Sequence, residues 1–210
     1  MKENKKTLVR FNVQNIKYAT PDATAPHGWA KPLPYGTATK MALESDSSVK
    51  KIFGDGRRLC AIVNDKGKTG TMSTNNVNDE YEIAMGRKKR LKNGLADIKQ
   101  QQTVTHCIYF ETCGVDEDGG RPVAKTWLYG VTSSRPSESF DQNTDDINES
   151  TFDTPLEIEG VPLKGANGAE WKGEKGNVVI VWQMTVTPDD EGYDTFGDEV
   201  VLPEMPDSQA

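Results

Sequence analysis

The 210-residue chain is 35% hydrophobic and 27% charged. That is lean for a monomer, so the chain either carries long solvated loops or completes its burial against neighbours. A domain of this size can bury roughly 70% of its unfolded surface without a disulfide or metal staple, and three cysteines (Cys60, Cys107, Cys113) at irregular spacing suit a reducing compartment better than a disulfide framework. No apolar run approaches the ~20 residues of a membrane span, and the basic start MKENKKTLVRF lacks the apolar segment of a secretory signal.

The net charge of −7 hides a division along the chain. Residues 1–100 hold 19 Lys and Arg against 10 Asp and Glu, whereas residues 101–210 hold 6 against 22. The halves either form two independently solvated surfaces or make a basic face of one copy meet an acidic face of the next. DNA binding by the basic half is disfavoured by a pI near 5.0.

In chain order, Pro21–Gly36 reads as a Pro-rich loop anchored by Trp29 and Tyr35. Leu59, Ala61 and Val63 alternate in a strand over Arg57–Asn64, which Asp65-Lys66-Gly67 is expected to close with a turn. The Thr- and Gly-rich Lys66–Thr74 reads as a polar strand suited to a solvated or ring-lining position. One short helix follows. Asn76 or Asn78 caps it, Asp79 and Glu80 complement its positive end, Tyr81 and Ile83–Met85 give an apolar side, and Gly86 stops it. A basic run, Arg87–Lys92, comes next.

Val104, Ile108 and Phe110 share a face of the following strand, with Tyr109 opposite. Asp116–Gly120 (DEDGG) turns that strand into Pro122–Val131, a hairpin partner. Ser134–Thr154 is too long and polar for a simple turn, and structureless loops above ~12–15 residues are usually functional or disordered. A short strand, Thr154–Glu159, resumes. Past the Gly-rich Gly165–Gly176, Asn177–Thr187 reads as one strand, with Trp182, Met184 and Val186 on one face and Val178–Val181 covered on both. No repeat stands out. The pattern predicts an all-β sandwich or partly closed barrel with one flanking helix: a single domain over residues 1–203 and a flexible tail over 204–210.

Catalytic inventories fail. Gly67-Lys68-Thr69 imitates the end of a P-loop, but Ile62 stands where the first glycine belongs. His27 and His106 are the two histidines, and His106 and Cys107 are adjacent strand residues that point to opposite faces, so they do not converge on one ion with Cys113. Cys107 reads as a small buried residue. No Gly-x-Ser-x-Gly elbow is present, and the acidic loops at Asp116–Asp118 and Asp145–Asp146 lack the ligand spacing of an EF-hand. No enzyme, cofactor or metal site is expected.

Five stretches taken in order resemble one family. These are VQNIKYA at Val13–Ala19, LPYGTATKMALESDSSVKKIFGDG at Leu33–Gly56, GKTGTMSTNNVNDEYEIAMG at Gly67–Gly86, the Ser134-Arg135-Pro136 passage running to Glu159, and EGYDTFGDEV at Glu191–Val200. Together they resemble the major tail proteins of long-tailed phages infecting Gram-positive bacteria, in which the first stretch would be the opening strand and the second a Leu-Pro loop, a hairpin and an Asp-Gly turn. The basic run, the Gly-rich insert and the tail beyond Pro203 depart from that pattern. The resemblance implies a virion protein, assembled in the host cytoplasm, whose hexameric rings stack into a tail tube. Its partners would be other copies of itself, the tape-measure, tail-tip and terminator proteins, and double-stranded DNA in transit, with no membrane. It further implies the hairpin Lys40–Asn64 as inner wall, with Glu44, Asp46 and Asp55 as lumen carboxylates; Lys50, Lys51, Arg57 and Arg58 must then point outward or pair across subunits. Arg87, Lys88, Lys89, Arg90 and Arg135 are the candidate inter-subunit contacts. The alternatives are a carbohydrate- or host-binding decoration module stacking sugars on Trp29, Tyr35 and Trp171, and a terminator or head–tail completion protein that forms a single ring.

Overall fold

The computed structural model describes residues 9–25, 28–138, 150–165, 168–173 and 176–203. Its strands are β1 (Val9–Ala19), β2 (Leu33–Gly36), β3 (Ala38–Gly54), β4 (Arg57–Thr74), β5 (Lys88–Leu91), β6 (Gly94–Asp97), β7 (His106–Val115), β8 (Val123–Ser133), β9 (Phe152–Ile158), β10 (Val161–Pro162), β11 (Ile180–Val181) and β12 (Gln183–Val186). The helix is α1 (Asp79–Ala84). The fold is all-β with one short helix. Eight strands form an antiparallel sheet in the order β2-β1-β7-β8-β9-β4-β3, with β12 also paired to β8. The sheet curls until β1 and β3 line one mouth, a cavity of about 410 Å³ floored by Val13, Met41, Leu43 and Phe110.

Strands β7 and β8 are apolar on both faces because both faces are covered. On the first, Ile108, Phe110, Leu128 and Val131 pack with Ile16, Tyr18, Met72 and Leu156, and α1 adds Tyr81 and Met85. On the second, Cys107, Tyr109, Trp127 and Tyr129 pack against Val186, Phe196 and Val200. The expected alternation along β7 holds. The Asp116–Gly120 turn closes on the Asp116 carboxylate, which accepts from the amides of Asp118 (3.1 Å) and Gly120 (2.6 Å), so that acidic cluster is a turn device. Asn78 is the helix cap: its side-chain oxygen accepts from the Tyr81 amide at 2.9 Å, while its amide group donates to the Tyr35 and Pro34 carbonyls, tying β2 to the helix.

Strand β8 changes partner along one edge. Lys125–Leu128 pair with β12, and Val131–Ser133 pair with β9. The changeover is Gly130, at φ 62°, where the Gly130 carbonyl accepts from Glu159 and the Tyr129 carbonyl accepts from Gly160. A side chain at Gly130 would fall on the Gly160 backbone.

Three expectations change. The Asp65-Lys66-Gly67 turn does not form, and β4 runs straight through it. Lys66 and Gly67 together oppose Asp46, between the pairs Ser45–Lys68 and Ser47–Asp65, so the glycine (φ 112°) makes a bulge. The polar strand Lys66–Thr74 is solvated on one side only: it lies between β3 and β9, leaves Lys66 and Thr69 exposed and sends Met72 and Thr74 into the interior. Asn177–Thr187 is also not one strand. It breaks at Trp182, which packs on the first face whereas Met184 packs on the second, and Ile180 stays exposed in a two-strand ladder with β10.

The insert between β10 and β11 contains an eight-residue repeat, Leu163-Lys164-Gly165-x-x-Gly168 and Trp171-Lys172-Gly173-x-x-Gly176. Each unit closes the same way: Gly168 donates to Gly165 and Gly176 to Gly173, both at 2.8 Å. Leu163, Trp171 and Val179, eight residues apart, link in a triangle of main-chain hydrogen bonds of 2.8–3.0 Å. The expected C-terminal tail, residues 204–210, lies outside the described residues.

Gly130→Ala should destabilise the protein by roughly 3 kcal/mol, combining positive-φ strain with a backbone clash. Gly119→Ala, also at positive φ but in open space, should cost only about 1 kcal/mol. Urea unfolding of the two variants measures the difference, and equal losses would remove the special role of the β8 changeover.

Candidate functional site

The most unusual surface is the outer half of the β3–β4 hairpin. Strand β9 backs β4 only from Lys68 to Thr74, so beyond the Gly67 bulge the two strands continue without a third among the described residues. Ser47–Gly54 is eight residues, about 27 Å of ribbon at strand rise. It ends in an Asp55-Gly56 turn with both residues at positive φ, the geometry a tight hairpin requires.

Period-2 geometry makes directly paired residues share a face. Val49 pairs with Val63 and Lys51 with Ala61 on one side of the ribbon; Lys50 pairs with Ile62 and Ile52 with Cys60 on the other. Both sides therefore mix apolar residues with cations. Val49, Phe53, Leu59, Ile62 and Val63 are each more than half exposed. Lys50, Lys51, Arg57 and Arg58 have no ion pair or side-chain hydrogen bond among the described residues.

The three expected lumen carboxylates are not brought together. Glu44 and Asp46 sit at the root of the hairpin and Asp55 at its tip, and the shaft between carries Lys50 and Lys51.

The expected inter-subunit cations are largely used within the chain. Arg87, read as part of an exposed basic run, is 1% exposed. It grips Glu82 at two points (2.8 and 2.7 Å) and donates to the Ser133 carbonyl at 2.9 Å. It cannot be a surface contact. Lys88 pairs with Asp79 at 2.9 Å and Arg90 with Glu80 at 2.7 Å, which fastens the β5–β6 hairpin across α1. Lys89 alone of the four stays exposed without a partner among the described residues. Arg135 pairs with Asp97 at 2.9 Å and donates to the Ile98 and Arg87 carbonyls, so its role is also intramolecular. Its loop begins by running beside β9, where Ser134 and Ser137 donate to Pro155 and Asp153; residues 139–149 lie outside the described residues.

The Arg87 pair opens a buried polar chain. Arg87 reaches Ser133 Oγ at 3.2 Å, and the Tyr81 hydroxyl lies 2.8 Å from both Ser133 Oγ and His106 Nε2. His106 Nδ1 sits 3.1 Å from the Val104 carbonyl, which only accepts, so Nδ1 carries the proton and Nε2 is an acceptor. The single Tyr81 hydroxyl proton is within reach of both Nε2 and Ser133 Oγ, and Ser133 Oγ also accepts from Arg87. Burial pushes the Glu82 carboxyl up in spite of Arg87, and burial holds His106 down at about 4. Sequence periodicity alone does not expose this set, because Glu82 and Arg87 are five apart, outside the helical i, i+4 spacing. Tyr81, Glu82, Arg87 and His106 are buried, and Ser133 is half-buried at the edge of the set.

Other sequence candidates disperse. His106 belongs to the first face and Cys107 to the second, where burial pushes the thiol up to about 12. Among the described residues no group of three or more His, Cys, Asp or Glu is placed to hold a metal. Tyr35 is buried against Tyr81, so it cannot stack on a sugar beside Trp29 and Trp171. His27 lies outside the described residues.

A second surface was missed by the sequence reading. Pro188–Val200 lies across the second sheet face and is held by its main chain. Its carbonyls accept from Trp127 (to Phe196, 2.8 Å), Lys17 (to Gly197, 2.8 Å) and Lys125 (to Tyr193, 2.7 Å), and Tyr129 reaches Val201 at 2.6 Å. The two lysines thus bind carbonyls rather than carboxylates. Asp189, Glu191, Asp194 and Asp198 are left exposed, without a side-chain partner among the described residues.

No protein-family model matches the sequence, and no curated protein matches it. Among solved structures, a crystal structure of Hcp protein aligns at a TM-score of 0.33 and 10% identity, covering 69% of this chain and 88% of that one. At that score the likeness carries no argument.

Two outcomes test the buried set. Arg87→Ala leaves the Glu82 carboxyl uncompensated and should cost about 3–5 kcal/mol, while Glu82→Leu combined with Arg87→Met should recover most of that loss. His106 folds with its pKa below the usual 6.5, so the unfolded chain binds more protons between those values. Its contribution is therefore fully present above pH 6.5 and is lost as pH falls towards 4, by about 3 kcal/mol. Denaturant midpoints across that window should fall in the parent and flatten in His106→Gln.

Proposed function

We propose that this protein is a non-enzymatic, self-assembling tube subunit, and that the projecting β3–β4 ribbon is the element that joins copies. The carrying observation is the ribbon itself. A two-stranded hairpin is marginal in water on its own, yet this one displays Val49, Phe53, Leu59, Ile62 and Val63 to solvent with no third strand or helix over either side among the described residues. Such a surface is built to be covered. The outer edge of β3 is also unpaired over its length among the described strands, which leaves a row of main-chain donors and acceptors for another chain.

The in-order sequence resemblance to phage major tail proteins supports the finer reading. The subunit forms rings that stack into a tail tube, its location is the virion tail, and terminator, tape-measure and tail-tip proteins are its neighbours. DNA passage then sets a physical condition. A wall of uncompensated cations would hold the duplex through counterion release, so Lys50, Lys51, Arg57 and Arg58 must be neutralised by protein if the ribbon lies near the lumen.

Val49→Ser, Phe53→Ser and Val63→Ser combined remove exposed apolar surface without touching the interior. Each side chain stands to gain roughly 1 kcal/mol on being covered, so the concentration needed for assembly should rise about 100-fold. Sedimentation and negative-stain microscopy of parent and variant at matched concentrations check this. Tubes from the variant at parental concentrations would refute the ribbon's role.

A further inference from the structure

We infer that the cationic ribbon of one copy seats on the acidic segment Pro188–Val200 of a second copy. The inference rests on the self-assembly reading and names the partner surface within it. Local pairing inside the chain singles out these two surfaces. In the basic run Arg87, Lys88 and Arg90 are spent on Glu82, Asp79 and Glu80, leaving Lys89, and Arg135 is spent on Asp97. Other cations of the basic half, such as Arg10, Lys31, Lys40 and Lys89, are scattered along the chain, whereas on the ribbon Lys50, Lys51, Arg57 and Arg58 stand together against Asp55 alone between Val49 and Val63.

The acidic segment is the complement. It holds six carboxylates (Asp189, Asp190, Glu191, Asp194, Asp198, Glu199) and no Lys or Arg. Asp190 is turned inward to accept from Thr187. The nearest cations, Lys17 and Lys125, lie beneath the segment on its carbonyls and over the Tyr109 and Tyr193 rings. Asp189, Glu191, Asp194 and Asp198 are therefore not neutralised by these two lysines.

The apolar pattern matches as well. The segment covers the second face incompletely, leaving Tyr193, Val201 and Leu202 partly exposed around Phe196 and Val200. A ribbon that mixes Val, Ile and Phe with Lys and Arg fits a surface that mixes aromatic and aliphatic residues with carboxylates. Because donor and acceptor surfaces are different patches of the same chain, the contact is heterologous, and it propagates from copy to copy instead of closing on a pair. Charges of this kind fix register and encounter and are screened beyond about 8 Å at physiological salt.

Charge reversal tests the pairing. Arg57→Glu with Arg58→Glu makes a variant with both surfaces acidic, and Asp189→Lys, Glu191→Lys, Asp194→Lys and Asp198→Lys together make one with both basic, four lysines then standing against Asp190 and Glu199. Neither should assemble at concentrations where the parent does, with the required concentration raised at least 10-fold at low salt. An equimolar mixture should assemble at near-parental concentration, since alternating copies restore opposite charges at each contact, and the six changes placed in one chain should do the same. Thermal unfolding of each variant verifies that the fold is intact; Arg57→Gln with Arg58→Gln, which should be intermediate, serves if reversal unfolds it. Parental assembly by both single-surface variants would overturn the inference while leaving self-assembly standing. Loss in both variants without recovery on mixing would also overturn it. Unchanged assembly with lost retention of duplex DNA by the ribbon variant would reassign the cations to nucleic acid and overturn it too. A parent that stays monomeric at every concentration would remove both readings.

Discussion

The structure is organised by two strands that are buried on both faces. With Ile108, Phe110 and Leu128 on one side and Tyr109, Trp127 and Tyr129 on the other, β7 and β8 oblige the chain to supply two covers from limited apolar material. The first comes from curling the sheet on itself and laying α1 across it. The second comes from an irregular segment, Pro188–Val200, whose main chain is held by side-chain donors from β1 and β8. A segment without strand or helix leaves carbonyls that burial would penalise. Trp127, Tyr129, Lys17 and Lys125 meet several of them, which is why residues with both an apolar body and a polar tip occur under it.

Much of this arrangement is legible in the sequence, in those places where one local signal has one structural meaning. Alternation in β7, the DEDGG turn, the Asn78 cap and the Asp55-Gly56 tip are of that kind. Illegibility begins where a signal has two meanings. Asp65-Lys66-Gly67 has the composition of a turn and also of a bulge, since both want a glycine at positive φ; continued pairing with β3 decides between them. Trp182 continues the alternation on paper, but the close approach of Gly160, whose added side chain would meet Trp182 and Ile180, breaks the strand there. The eight-residue repeat is short and has two copies, so its regularity emerges only when Leu163, Trp171 and Val179 come together.

The candidate site shows a different limit. Charge runs in sequence give no account of which charges are already satisfied. RKKR looks like a solvated basic patch, yet its first residue is buried on Glu82, and Lys88 and Arg90 answer carboxylates on the neighbouring helix. Exposed pairs of this type contribute little to stability, on the order of 0–1 kcal/mol, but they remove charge that could otherwise address a partner. The ribbon, more sparsely charged in sequence, keeps all of its cations available.

That redistribution bears on how assembly is controlled. A ribbon carrying only apolar residues would pair with any exposed strand edge, including another ribbon, and would aggregate. Interleaved lysines and arginines oppose ribbon-to-ribbon association, because like charges brought face to face are destabilising. The same cations are favourable only where carboxylates receive them. The acidic segment offers carboxylates in a place where the underlying lysines are occupied by carbonyls, so attraction is directed to one surface and repulsion guards the other. Specificity of this kind is a difference between two contacts, one favoured and one penalised. Here both arise from the same four cations, and the apolar residues between them can then contribute affinity without selecting the wrong partner.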